Sequence, residues 1–96
     1  MNVLSHDQNP KVLSVQVQAI LEHGFDAENL LILAPEGKKD AVEGFGDVRV
    51  ETGSGDIMVK YDLSEVDKTT SEEALGNGEY ILLSNDEIAD EGEFFQ

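Results

Sequence analysis

The amino-acid sequence predicts a small α+β sandwich: a sheet of four or five strands with one or two helices on one face. Three stretches lead to that expectation. Asn9 to Pro35 reads as a helix, a glycine stop and a wholly apolar strand; Val48 to Tyr61 alternates like a hairpin; Glu79 to Ser84 is a second apolar run. Residues 1–86 are expected to form one α/β domain and residues 87–96 an acidic C-terminal tail.

The first stretch is marked at both ends. Asn9 can accept a hydrogen bond as an N-cap, and Pro10 suits the first helical position, where its missing N–H would go unpaired anyway. Leu13, Val17, Ile20 and Leu21 fall on one helical face, and Gly24 can take the left-handed conformation that closes a helix. Leu13, Val15, Val17 and Ala19 also alternate with Ser14, Gln16 and Gln18, the period of a strand, so each pattern matches four positions. The Asn-Pro start, the glycine stop and the helix-favouring Ala19-Ile20-Leu21-Glu22 decide for helix. Phe25 folds back on the last turn, and Leu30-Leu31-Ile32-Leu33 is an unbroken apolar run suited to a central strand.

Asn2 to Ser5 serves as a short first strand, and with the helix and the Leu30 to Leu33 run it makes a strand–helix–parallel strand unit. Glu36 to Gly46 reads as a loop with at most one helical turn around Lys38 to Glu43. Its glycines are not a phosphate loop, because both lysines precede them and no GxxxxGK[ST] order exists. Val48 and Val50 alternate with Arg49 and Glu51, and Ile57, Val59 and Tyr61 with Met58 and Lys60, on either side of Thr52-Gly53-Ser54-Gly55, which predicts a hairpin. Ser64 is a candidate helix cap, and Ser71 to Leu75 reads as a short helix stopped by Gly76-Asn77-Gly78. Thr69 and Thr70 argue against one continuous helix, and Glu79 to Ser84 predicts the last strand.

Composition narrows the function. With 96 residues the chain supports one modest core, and with no cysteine it has neither a disulfide framework nor a thiolate site. Its N-terminus lacks the basic and apolar segments of a signal peptide, and no run approaches the ~20 apolar residues of a membrane span. A cytoplasmic protein is expected. The formal net charge is −15, and it is uneven: residues 1–61 hold ten acids against five bases, residues 62–96 eleven acids against Lys68. Such a field disfavours nucleic acid and anionic membrane as partners and favours a basic protein surface; a homodimer is the other partner considered.

Candidate chemistry is sparse. His6 lies in a turn and His23 near the end of the helix, where its charged form suits the helix dipole; no HxH, HxxxH or HExxH spacing joins them to a metal set. No serine sits in a G-x-S-x-G elbow, and Asp86 to Glu93 lacks the register of a calcium loop. No catalytic, cofactor-binding or metal-binding residue is therefore assigned, and no cofactor is expected. The candidate interaction residues are Glu87, Asp90, Glu91, Glu93, Phe94 and Phe95, where acids would steer toward a basic groove and the two rings would anchor. Packing of both rings on the sheet is the competing arrangement.

The helix ending in Gly24-Phe25, the strand Leu30-Leu31-Ile32-Leu33-Ala34, and Glu72-Glu73-Ala74-Leu75-Gly76-Asn77-Gly78-Glu79-Tyr80-Ile81-Leu82-Leu83 resemble the small YflT-like heat-induced or general stress proteins of Gram-positive bacteria. The resemblance covers about half the chain, and its motifs are structural rather than catalytic. It implies a ferredoxin-like α/β fold and a stress-associated role, and it brings no functional residue with it. The expected function is a small acidic, non-enzymatic, stress-associated or accessory protein. The alternative is an acidic inhibitor or nucleic-acid mimic that occupies a basic protein surface.

Overall fold

A computed structural model describes residues 1–38 and 46–85. The chain runs through strand β1 (Asn2–Asp7), helix α1 (Pro10–Glu22), a 3-10 turn (Ala27–Asn29), strands β2 (Leu30–Ala34) and β3 (Arg49–Thr52), helices α2 (Gly55–Lys60) and α3 (Glu65–Gly76), and strand β4 (Tyr80–Ser84). The strands form one mixed sheet in the order β1-β4-β2-β3. β4 is antiparallel to both neighbours, whereas β2 and β3 run parallel. β1 and β2 therefore point the same way with β4 between them, so the expected strand–helix–strand unit is present but split. A ferredoxin-like sheet is antiparallel throughout; the parallel β2/β3 pair leaves the coarser description, α+β with a mixed four-stranded sheet.

The helices do not share one face, which corrects the two-layer expectation. One core cluster joins Leu13, Val17 and Ile20 of α1 to Leu30, Ile32 and Ala34 of β2 and Tyr80 and Leu82 of β4. A second joins Leu31 and Leu33 of β2 and Ile81 and Leu83 of β4 to Met58, Leu63 and Ala74 from α2, the link after it and α3. Successive strand residues point to opposite faces, so β2 and β4 feed both clusters alternately. α1 covers one face, and α2 with α3 covers the other.

The ends of α1 form as its sequence dictates. The Asn9 side chain accepts from the Lys11 N–H at 3.0 Å, Pro10 opens the helix, and Gly24 adopts φ +95 just beyond it. Burial separates helix from strand over Lys11 to Ala19: Leu13 and Val17 are fully buried, whereas Val15, which a strand would place with them, is 70% exposed. Phe25 is half-buried against the same cluster.

Two expectations fail locally. The first half of the predicted hairpin is β3, but the second half, Asp56 to Tyr61, belongs mostly to α2 rather than to a strand. Ser54 is its N-cap, with its Oγ accepting from the Ile57 N–H at 3.3 Å, and Asp56 and Lys60 complement the helix dipole in the first and last turns. Met58 is buried and Val59 is 68% exposed, the reverse of the hairpin assignment. Ile57, Met58 and Tyr61 instead form a helical face toward the second cluster. Secondly, α3 is continuous through Thr69 and Thr70. The Ser64 side chain accepts from the Asp67 N–H, and the Thr69 hydroxyl donates to the Glu65 carbonyl at 3.0 Å, a bond within the helix itself. The turn that stops α3 runs through Gly78, at φ +77.

β1 is longer than expected, and its register slips between Val3 and Ser5, leaving Leu4 as a bulge. Val3 packs on the second cluster and Leu4 on the first, as strand alternation requires. Of the expected loop after β2, residues 39–45 lie outside the described residues, as does the acidic tail.

The two-faced core has a direct test. Ile32→Ala should lower unfolding free energy by about 2–5 kcal/mol in a urea titration, because the residue is 0% exposed at the sheet centre, while Val15→Ala should stay within about 0.5 kcal/mol of the parent.

Candidate functional site

β2 and β3 are parallel, so their N-terminal ends lie together, and β4 ends beside them because Ser84 pairs with Leu30. The Asn85 N–H donates to the Asn29 carbonyl at 3.0 Å and ties this end of the sheet to the 3-10 turn. A cleft of about 460 Å³ opens there, a size at which small-molecule sites occur. Met1, Ala27, Leu30 and Leu31 are its apolar residues, and the Met1 ammonium donates to the Tyr61 carbonyl at 2.8 Å. Asp26 and Glu28 from the turn, Asp47 before β3, Arg49 in β3 and Tyr61 after α2 supply the polar lining.

Sheet register explains the pairing of Arg49 with Tyr61. Arg49 lies opposite Leu31, which faces the second cluster, and Tyr61 packs against that cluster at the end of α2. The Arg49 guanidinium donates through Nη1 to the Tyr61 hydroxyl at 2.9 Å. This hydrogen bond chiefly, and then favourable electrostatics with the same residue, holds the Arg49 pKa above its ordinary value, with Glu51 adding less. Lys60 Nζ stands 5.5 Å from the Tyr61 ring centroid, within cation–π range.

The three carboxyl residues of the cleft are not ion-paired with Arg49. Among the described residues no lysine or arginine pairs with a carboxylate. A contact between His6 Nδ1 and Glu79 Oε1 at 2.9 Å lies at the other end of the sheet, joining β1 to the start of β4. His23 donates through Nδ1 to the Ala19 carbonyl at 2.8 Å on its own helix. The two histidines are thus apart from each other and from the cleft, and Ser54 serves as a helix cap. No group of three or more His, Asp or Glu side chains among the described residues is placed to hold a metal ion.

The residues singled out for interaction, Glu87, Asp90, Glu91, Glu93, Phe94 and Phe95, lie outside the described residues, as does the Asp86 to Glu93 stretch considered for calcium. The sequence pattern does not announce the cleft. Arg49 falls on the polar side of the predicted hairpin and Tyr61 on its apolar side, although Arg49 is the chain's single arginine and so stands out in composition. Comparison with family models, with curated proteins and with solved structures finds no match. Among the described residues no helix is long and apolar enough to cross a membrane.

Tyr61→Phe separates anchoring from folding. The urea midpoint should stay unchanged, since Arg49 is exposed, while NMR relaxation of the Arg49 side-chain N–H should report motion close to that of a free arginine. A large fall in stability would mean that the hydroxyl belongs to the core instead.

Proposed function

We propose that this protein is a non-enzymatic accessory protein that acts by docking its acidic surface on a basic protein surface. The observation behind the proposal is charge left without internal partners. The described residues include fourteen Asp and Glu against five Lys and Arg, and none of those bases is ion-paired with a carboxylate. The field of the acids therefore points outward, where it accelerates encounter with a cationic partner and weakens with salt.

The outer side of α3 gives that field a surface. Glu65, Thr69, Glu72 and Glu73 are all exposed, and their spacing of four, seven and eight residues sets them along one helical stripe. Arg49 fits a binding role better than a catalytic one: a guanidinium stays charged at neutral pH, so it can hold a ligand but does not exchange a proton. The stress-associated setting implied by the YflT-like resemblance belongs to the same proposal and is checked separately, by transcript level after heat shock.

The docking reading is tested by affinity capture of a partner from the native host. A basic protein should be retained near 0.05 M salt, released near 0.5 M, and displaced by duplex DNA if the surface imitates nucleic acid. Replacing Glu65, Glu72 and Glu73 together by Gln should weaken retention about tenfold or more and flatten its salt dependence. Retention of neutral or acidic proteins that resists salt would count against the proposal.

A further inference from the structure

We propose that the cleft at the start of β2 and β3 binds a small zwitterion, an α-amino acid with an apolar side chain. Its carboxylate would lie on Arg49 and its ammonium toward Asp26, Glu28 and Asp47. This inference does not rest on the docking reading, which concerns the outer side of α3.

The geometry points to a ligand of both signs. Arg49 and three carboxyl residues line one cleft, yet none of the carboxylates is ion-paired with the guanidinium. Arg49 is held on one side by the Tyr61 hydroxyl at 2.9 Å, while Asp26 and Glu28 come from the turn before β2 and Asp47 from the approach to β3. The tyrosine takes one hydrogen bond from Nη1, and a guanidinium has five N–H donors, so a planar carboxylate can still be bound by two of them.

A simple anion entering the cleft meets three carboxylates, and a simple cation meets the guanidinium and the Met1 ammonium, which donates to the Tyr61 carbonyl at 2.8 Å. A molecule with a carboxylate and an ammonium on one carbon satisfies both signs at once. Ala27 and Met1, both half-buried, then offer apolar contact to its side chain, and about 460 Å³ leaves room for an aliphatic one.

The test is an NMR titration of the full chain, backed by calorimetry, with L-leucine as the probe. Leucinamide, which lacks the carboxylate, and 4-methylpentanoate, which lacks the amine, are the controls. Saturable shifts are expected at Ala27, Leu31 and the Arg49 side chain, with each control binding about tenfold more weakly because one charge-assisted contact is lost. Arg49→Gln should weaken leucine about tenfold while the rest of the backbone spectrum stays in place, which separates lost binding from lost folding. The proposal is overturned by an absence of saturable shifts up to ~10 mM leucine. Shifts confined to another surface, or leucinamide binding as tightly as leucine, would overturn it too.

Discussion

All ten residues of β2 and β4 are buried, and they sit side by side at the centre of the sheet. Five of those side chains belong to one core cluster and four to the other, so water has to be excluded from both faces. At roughly 25 cal/mol per Å² of apolar area, a sheet covered on one side only would forfeit a large part of its stabilisation. The connections supply the two covers: α1 lies between β1 and β2 in sequence, and α2 with α3 lies between β3 and β4. Close approach on the second face depends on Gly53, where an added Cβ would stand 2.5 Å from Leu75 Cδ1. The chain leaves β3 at that glycine, which leaves space for Leu75 of α3.

Much of this was legible in particular residues. Asn9, Pro10 and Gly24 mark α1 correctly because capping chemistry is local and depends on few neighbours. The runs Leu30 to Leu33 and Glu79 to Ser84 read as strands because each holds four consecutive apolar residues, which suits a doubly covered sheet. The same runs held the evidence against a two-layer fold, since a strand with one wet face alternates and these do not. Asp56 to Tyr61 misleads because six residues are too few to separate a period of two from one of 3.6, and a Ser54 cap between two glycines resembles a turn. Thr69 lowers helix propensity in isolation, yet its hydroxyl finds a partner one turn back.

The cleft was not legible, and the reason is topological. Its residues come from four separate parts of the chain and meet only through the parallel register of β2 with β3 and the placement of Tyr61 at the end of α2. In open α/β sheets ligands commonly sit beyond the carboxyl ends of the strands. Here the cleft lies beyond the amino ends of β2 and β3, the edge opposite to the one that fold analogy would indicate.

The strand order has one more consequence, for behaviour in concentrated solution. Leu-Leu-Ile-Leu-Ala and Tyr-Ile-Leu-Leu-Ser are short, uncharged and free of proline, the composition of segments that stack into cross-β fibrils when exposed. Both are interior strands, flanked by β1 and β3. The flanking strands carry His6 and Asp7 on one side and Arg49 and Glu51 on the other, and β1 is broken by a bulge, features that discourage another chain from adding to a sheet edge. Exposure of the two central strands to another chain would then require β1 or β3 to detach first, so the lifetime of the edges, more than the strength of the centre, governs that route to self-association.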